Sequence, residues 1–401
     1  MSRNKAFKTF KVKRSKGRLY KKRKSTGRKV FEVILMVLIV GVLGVVGYSA
    51  AGPLISYLQG DGSESVTTPW EPPESSTPEE SETTSESESS VDTTTTPPVS
   101  DGSGAYLLPE SALENQTALV QALDLAEKAG CSVIIVPVKD VEGHLLYNSQ
   151  LSAVKGTDVV TGSMVAGQIT SVIKSRGFAA AKALVPTLLD KTTPQYVNDT
   201  AYRFADDSYA WLDSTPERGG KQWVDPFRSG TRTYYTQLAK ELTEAGFDEV
   251  LLSELKFPEF TTYDQTILSN QFFSSTRYTA LTDLYTAVNS SSGNKAAAAV
   301  DITEVLSGYG KSYRGNAEIL SDRSFTGTVY LMIDLTAFGT SLTTEGNGKI
   351  SLPADPAQKV QVLVSKAAEY IGTNVTVIPV IEVKGLSPEA LGKCYAALSA
   401  S

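Results

Sequence analysis

Histidine and cysteine are nearly absent from this 401-residue chain, which contains one histidine and two cysteines. A zinc centre rich in histidine and a HExxH metalloprotease helix are therefore excluded. A nucleophilic Ser or Cys relay would have to use His144, which lies beside a glycine in a loop, and we expect it to be simply exposed. Carboxylates must then carry any proton transfers, and we predict no metal and no cofactor.

The two cysteines leave a disulfide open. In a barrel, Cys131 would begin the second strand and Cys394 would lie late in the last helix. Both positions fall toward the amino ends of the strands, so an oxidising exterior would permit pairing. We expect instead two unlinked thiols that pack as small hydrophobic side chains.

Lysine and arginine are also absent between Lys29 and Lys128, whereas residues 1–29 contain 14 of them and no Asp or Glu. The uncharged run VILMVLIVGVLGVVGYSAAG begins at Val33. It has about the 20 residues that a helix needs to cross a bilayer. This asymmetry predicts a single transmembrane helix and its exit at residues 30–58, with a cytoplasmic N-terminus and an extracellular C-terminal domain.

A cleavable signal peptide is the alternative, because the residues at 49–51 are small. The apolar run is longer than a signal h-region of about 7–15 residues, which favours the anchor. We expect the arm at 1–29 to contact anionic lipid headgroups. Outside the arm the chain has 24 Lys and Arg and 44 Asp and Glu, which gives it a large net negative charge. We therefore expect no nucleic-acid partner.

Large aliphatic side chains are nearly absent from residues 59–103, which are rich in Ser, Thr, Glu and Pro. Such a segment buries too little apolar surface to offset the ordering of its backbone. The predicted organisation is therefore a basic arm (1–29), a transmembrane helix (30–58), a disordered stalk (59–103) and a folded domain (104–401).

Residues 104–401 alternate short apolar runs with amphipathic segments, which is typical of strands alternating with helices. The predicted strands are Ala105–Leu108, Ser132–Val138, Phe178–Leu184, Glu249–Leu252, Ala296–Ile302, Thr328–Leu335 and Val375–Ile381. We predict an α/β fold, a (β/α)8 TIM-barrel-like domain with one strand missing or irregular, and keep a doubly wound open sheet as the alternative. No phosphate-binding glycine fingerprint follows the first strand, which disfavours a dinucleotide fold.

Charged residues occur where these strands end, which is the edge that carries active sites in barrels. The candidate catalytic residues are the carboxylates Asp140, Glu142, Glu254, Asp301 and Asp334. The candidate substrate-binding residues are Lys139, Lys182 at the predicted end of the third strand, Lys256, Trp211 and Trp223, with Tyr234 and Tyr235 as further stacking candidates. A single charge at a strand end is more often a solvated edge or a helix cap, but several on one edge favour a cleft.

Four segments occur in one order: VIIVPVKDVEGHLLYNS, RGFAAAKALVPTLLD, YAWLDSTPERGGKQWVDPF and AGFDEVLLSELKFPEF. They resemble a glycoside hydrolase-like family of bacterial barrel proteins of unknown function, found mainly in Gram-positive organisms. Its corresponding stretches read approximately DVKDDxG, WVDPY and FDYVRFP. The resemblance covers about Gly104 to Phe338, and its WVDPF block adds Asp225 to the candidate binding residues.

The chain departs from this family at positions where the family has aspartate. Pro137 replaces the first Asp of DVKDD, and Ser253 replaces the Asp of DYVRFP, with Lys256 in place of its Arg. Serine cannot replace a carboxylate in stabilising an oxocarbenium-like transition state. Glu254 follows directly, but it would point to the opposite face of the strand unless the strand end is bulged or turned.

Three functions stay open from the sequence. The favoured one is a membrane-anchored extracellular glycoside hydrolase-like protein, a divergent member that binds cell-wall or extracellular polysaccharide without cleaving it. The first alternative is an active carboxylate-dependent glycosidase, which the charged strand ends favour. The second is an envelope scaffold that binds a protein partner.

Overall fold

Seven short runs of Val, Ile, Leu and Ala form the parallel strands of an α/β barrel. The computed structural model describes residues 104–206, 209–268, 274–308, 319–320, 325–343, 348–371 and 375–400. The barrel strands, hydrogen-bonded in chain order, are β1 (Ala105–Leu107), β2 (Val133–Pro137), β3 (Ala180–Pro186), β4 (Glu249–Ser253), β5 (Ala296–Asp301), β6 (Gly327–Ile333) and β9 (Val375–Ile381). Two three-residue strands, β7 (Ser341–Thr343) and β8 (Lys349–Ser351), pair antiparallel outside the barrel sheet.

Helices alternate with the strands along the chain. They are α1 (Gln116–Lys128), α2 (Ala166–Ser175), α3 (Thr193–Tyr196), α4 (Ser229–Glu244), α5 (Thr262–Ile267), α6 (Ser274–Ser291), α7 (Ile302–Gly308), α8 (Pro356–Ile371) and α9 (Pro388–Ser399). Polar side chains fix where some of them begin: Asn115 accepts a hydrogen bond from the Ala118 N–H at the start of α1 (3.0 Å). Such caps satisfy amide groups that a helix leaves unpaired in its first turn.

The strands are apolar on both faces. One buried cluster lies inside the barrel and contains Ala105, Ile135, Leu251, Ala297, Ala299, Tyr330, Met332 and Val380. The alternate residues of the strands, such as Ile134 and Val136, belong to a larger cluster shared with the helices. Successive side chains of a strand point to opposite faces, which accounts for the two clusters. Because all seven strands run parallel, their carboxyl ends lie along one edge of the barrel. We call this edge the rim.

A tyrosine joins the two ends of the sheet. The Tyr395 hydroxyl, on α9, donates to the Ala105 carbonyl of β1 (2.5 Å) and accepts from the Ile381 N–H of β9 (3.0 Å). A Cβ atom at Gly104 would lie 2.7 Å from the Tyr395 ring, so a glycine is needed there. The barrel is therefore TIM-like and nearly closed, with seven strands rather than eight among the residues that the structure describes.

The predicted basic arm (1–29), transmembrane helix (30–58) and stalk (59–103) lie outside the described residues. Within residues 104–400, leaving out the gaps given above, no helix combines the length and the hydropathy that a membrane crossing requires.

Both cysteines are buried and carry free thiols. Burial raises the pKa of the Cys131 thiol to about 12. This thiol is therefore protonated at neutral pH and a poor nucleophile, which agrees with the expectation of packed, unlinked cysteines.

Candidate functional site

The end of β4 is turned at Glu254. This residue has a φ of 52°, a left-handed conformation that is uncommon outside glycine. Pairing with the loop after β3 continues on both sides of the turn: the Ser253 carbonyl accepts from the Thr187 N–H (2.8 Å), and the Glu254 carbonyl accepts from the Leu188 N–H (3.0 Å). The turn breaks the alternation of side chains, so Glu254 is not held on the face opposite Ser253.

The turn directs Glu254 toward a lysine. Lys256 Nζ lies 2.7 Å from Glu254 Oε2 and 3.4 Å from Oε1 of Glu304, at the start of α7. Burial alone would lower the pKa of Lys256, but these two carboxylates raise it above its ordinary value. We call Glu254, Lys256 and Glu304 the Lys256 cluster; its ammonium group stays charged and is paired with both carboxylates.

Asp301 and Asp334 end the next two strands and act as local caps. Asp301 Oδ1 accepts from the N–H (2.7 Å) and hydroxyl (2.6 Å) of Thr303. Asp334 accepts from the N–H of Thr336 (2.8 Å) and from Lys384 Nζ (3.2 Å). Partial burial acts to raise the pKa of Asp334, but the hydrogen bonds from Thr336 and Lys384 together lower it. Both carboxylates are therefore held in place at the rim.

A second group of polar residues follows β1 and β2. Asp140 accepts from the backbone N–H groups of Glu142 (2.9 Å) and His144 (2.8 Å), and its Oδ2 lies 2.9 Å from His144 Nδ1. Glu142 forms an ion pair with Lys191. Desolvation raises the pKa of Glu110, which lies three residues after the end of β1, and the negative charge of Asp140 raises it further. Asp140 and Glu142 thus lie after the end of β2, and Glu110, after β1, is close enough to be affected by the charge of Asp140.

Lys139, by contrast, is fully buried. Its Nζ lies 2.7 Å from Asp190 Oδ2 and donates to the Pro186 carbonyl (2.8 Å) and the Tyr235 hydroxyl (2.7 Å). Asp190 Oδ1 also accepts from the N–H groups at 192 and 193. This lysine, which matches the family motif, therefore ties the end of β2 to the loop after β3 and does not face the rim.

Lys182 lies near the start of β3, not near its end. Its Nζ is 2.9 Å from Oε2 of Glu249, the first residue of β4. The Tyr330 hydroxyl donates to the same oxygen (2.5 Å) and also contacts Lys182. The strand continues two residues beyond its predicted end, which moves Lys182 into the amino-terminal half of the barrel, away from the rim.

The aromatic candidates and Asp225 are mainly packed. The buried Trp211 donates its indole N–H to Asp264 (2.9 Å), and the half-buried Trp223 donates to an oxygen of Asp213 (3.1 Å). Asp225 is fully buried and accepts from the Phe227 N–H (3.0 Å). Tyr234 and Tyr235 are also buried. Of the residues proposed to bind substrate, Lys256 is the one that the structure places within the group of charges at the rim.

Some rim residues were not among the candidates. Glu110 could have been found, because it follows the first strand in the same way that Asp140 follows the second. Glu304 and Lys384 follow the ends of β5 and β9 at the same spacing, so the same rule could have found them as well. Among the described residues, no group of three or more His, Cys, Asp or Glu side chains is arranged to hold a metal ion.

Comparing glycine and alanine at position 254 tests the strain in this turn. Both substitutions remove the carboxylate, but only glycine adopts a φ of 52° without steric cost. We expect Glu254→Gly to be more stable than Glu254→Ala by about 1 kcal/mol in free energy of unfolding, measured by urea denaturation. Equal stability of the two variants would show that the left-handed turn is not maintained.

Comparison with known proteins gives a match to a family model described as "Putative glycosyl hydrolase domain" over residues 104–309, just over half of the chain. The match includes β1 to β5, Ser253, Glu254 and Asp301, and ends earlier than the sequence resemblance. Comparison with curated proteins finds no match.

Solved structures with a similar fold include three bacterial proteins. A hypothetical protein from Ruminiclostridium thermocellum is 18% identical (48% of this chain, 96% of that chain, TM-score 0.41). The catalytic domain of β-amylase from Paenibacillus polymyxa is 10% identical (76% of this chain, 100% of that chain, TM-score 0.41). α-L-Fucosidase isoenzyme 2 from Paenibacillus thiaminolyticus is 14% identical (74% of this chain, 49% of that chain, TM-score 0.42).

Proposed function

Since the chain belongs to the "putative glycosyl hydrolase domain" family, we propose that it is an extracellular, membrane-anchored glycoside hydrolase-like protein that binds polysaccharide and does not cleave it. The ligand class follows from the family. The absence of cleavage is proposed because the rim of this chain lacks an open pair of carboxylates at the end of β4.

The Lys256 cluster is the observation that carries the proposal. A glycosidase places the scissile bond, and in inverting enzymes a water, between two carboxyl groups. Here Lys256 Nζ forms ion pairs with both carboxylates, Glu254 at 2.7 Å and Glu304 at 3.4 Å. Ser253, where the family has aspartate, supplies no carboxylate. The cluster therefore lacks an open carboxylate pair on this side of the rim.

The same residues are suited to holding a sugar. Each side chain of the cluster is about one-fifth to one-quarter exposed, between 18% and 27%. Ammonium groups donate to sugar hydroxyls and carboxylates accept from them. Hydrogen bonds to charged groups are stronger than neutral ones, so a few of them can orient a polysaccharide segment.

The location of the protein is also part of the proposal. It rests on the sequence alone: the basic arm, the apolar run at 33–52 and the polar stalk. In this arrangement the stalk would carry the barrel away from the membrane, into a layer of extracellular or cell-wall glycan.

An active glycosidase is the second candidate, and one observation favours it. Glu110 has a raised pKa and lies close enough to Asp140 for the charge of Asp140 to contribute. A carboxyl group with a raised pKa close to a second carboxyl group is an arrangement that glycosidases use. In this case catalysis would depend on Glu110 and Asp140 and not on the Lys256 cluster.

Glycan binding by the full-length chain tests the proposal. We expect retention on at least one polysaccharide in a panel of peptidoglycan, chitin, cellulose, xylan and β-glucan. Lys256→Met should weaken that retention by about tenfold or more, because it removes charged hydrogen bonds to the ligand. Lys240→Met, at an exposed lysine of α4, is the control and should bind as the wild type does.

Assay of reducing ends separates the two candidates. Retention without release supports the binding function. Release that disappears in Glu110→Gln and Asp140→Asn would establish the active glycosidase instead.

A further inference from the structure

Two tyrosines on the rim side of the barrel are left almost entirely in solvent. Tyr209 is 72% exposed and Tyr263 is 71% exposed, more than any other large hydrophobic side chain in the described part of the chain. Tyr209 lies in the long connection after β3, and Tyr263 lies in the first turn of α5, after β4. Both connections leave the carboxyl ends of their strands, so both tyrosines belong to the side of the barrel that carries the rim.

The structure brings these two connections together. Phe204 and Leu268 form an antiparallel bridge, and the Ala205 N–H donates to the Ile267 carbonyl (2.7 Å). On the same stretch, the Phe204 N–H donates to the carbonyl of Tyr209 (3.1 Å). One tyrosine is thus linked by backbone hydrogen bonds to the helix that carries the other.

A side-chain contact adds a second link. Trp211, two residues after Tyr209, donates its indole N–H to Asp264, the residue after Tyr263 (2.9 Å). Asp264 also closes the capping box of α5 with Thr261. The backbone under each tyrosine is therefore held at a fixed position relative to the other.

A buried aromatic cluster supports this surface. Tyr202, Trp211 and Phe260 pack with ring centroids 5.1–6.0 Å apart. Edge-to-face aromatic packing of this kind is specific in geometry and fixes the position of the chain that carries it. A tyrosine has only two side-chain torsions, so on a fixed backbone it loses little conformational freedom when a ligand covers it, which lowers the cost of binding.

We propose that Tyr209 and Tyr263 form a sugar-stacking surface that binds a second segment of the polysaccharide held at the rim. The apolar C–H face of a pyranose ring covers an aromatic ring, and the phenol hydroxyl remains available for hydrogen bonds with sugar hydroxyls. The connection that leads from β4 to α5, the helix that carries Tyr263, begins at Glu254 of the Lys256 cluster. In this proposal one chain of sugars would run from the cluster to the tyrosines. This inference rests on the proposed function, and it adds the expectation that affinity depends on the length of the glycan.

Oligosaccharides of two lengths test it with the full-length chain. Trisaccharides and hexasaccharides of chitin, cellulose, laminarin and xylan would be titrated by calorimetry into the wild type, Tyr209→Ala and Tyr263→Ala. We expect each alanine variant to lose about fivefold to tenfold in hexasaccharide affinity. Trisaccharide affinity should stay within about twofold, because the short ligand is held by the Lys256 cluster alone.

Three control variants show whether a loss of affinity comes from the tyrosine rings. Tyr263→Phe keeps the ring and should retain hexasaccharide affinity within about twofold. Tyr196→Ala removes a half-exposed tyrosine of α3, whose hydroxyl donates to Asp158 (2.8 Å), and should change neither affinity. Lys256→Met should weaken the binding of both lengths.

The possible outcomes are distinct. Loss of hexasaccharide affinity in the two alanine variants, with trisaccharide affinity kept, supports the stacking surface. Unchanged hexasaccharide affinity in these variants, together with weak binding by Lys256→Met, overturns the stacking surface and leaves the proposed function standing. Absence of binding by the wild type to every oligosaccharide overturns both.

Discussion

Asp190→Asn is expected to lower the free energy of unfolding by about 3–5 kcal/mol, the cost of leaving one member of a buried ion pair without its partner. Lys139 and Asp190 are both inaccessible to solvent, with Nζ and Oδ2 2.7 Å apart. Asparagine keeps the oxygen that accepts from the backbone at 192 and 193, so the change removes the charge and little else. Chemical denaturation of the folded domain measures the loss.

The pH dependence of this variant has a defined sign. Burial lowers the pKa of Lys139 below its ordinary value, although Asp190 opposes the shift. The unfolded chain therefore binds more protons between the folded pKa and the unfolded value of about 10.4, and stability rises with pH across that interval. Without Asp190 the folded pKa falls further and the interval widens. The deficit of Asp190→Asn should therefore shrink as pH rises from neutral toward about 10.

A double variant is the control for this prediction. Lys139→Met added to Asp190→Asn removes the uncompensated charge and should recover much of the lost stability. A deficit that is independent of pH and is not reduced by Lys139→Met would show that the two residues do not form a buried ion pair.

Gly143→Ala is the second substitution with a large expected effect. Gly143 has a φ of 101°, and a Cβ atom there would lie 1.8 Å from Asp190 Oδ1. The alanine therefore combines an unfavourable backbone conformation with overlap of a buried carboxylate. We expect a loss of about 2–5 kcal/mol in free energy of unfolding. The shift should also disturb the turn in which Asp140 binds His144, which is observable in the NMR resonances of this single histidine.

Gly156→Ala separates the cost of the backbone conformation from the cost of the overlap with a neighbouring side chain. Gly156 also has a positive φ, 76°, but a Cβ atom there would have no neighbour within 4 Å. This control should lose only the conformational part, about 1–2 kcal/mol. Equal losses at the two glycines would contradict the close approach of Gly143 to Asp190.

The barrel strands are predictable because each is a compact run of apolar residues between polar ones. The predicted bounds of β9, Val375–Ile381, are the observed ones. β3 continues two residues further than predicted, since Pro186 still lies within the strand. The sequence does not predict the hairpin of β7 and β8, because its three-residue strands show no apolar pattern. It also does not predict that the Tyr395 hydroxyl links β1 to β9 where an eighth strand would lie.

Side-chain partners are much less predictable than strands. Lys139 and Asp190 are far apart in sequence and meet only through the pairing of β2 with β3. Glu254 adopts a left-handed conformation without being glycine or asparagine, so local propensity does not signal the turn. The rule that charges gather at strand ends identifies Glu254, Lys256 and Asp301, but it cannot show which of them neutralise one another.

The residues at the end of β4 bear directly on whether this protein can cleave a glycan. The chain keeps the barrel of its family and replaces the expected strand-end carboxylate with Ser253, beside a glutamate paired to lysine. Charged hydrogen-bonding groups remain at the rim, whereas an unoccupied pair of carboxylates does not remain at the end of β4. We therefore expect this protein to bind glycan without cleaving it.

The most direct test is to incubate the full-length chain with the polysaccharide that retains it and to measure retained protein and new reducing ends in the same sample. Our account predicts retention with no reducing ends above those of a protein-free control. Release of reducing ends that is abolished by Glu110→Gln or Asp140→Asn would contradict it and establish an active glycosidase.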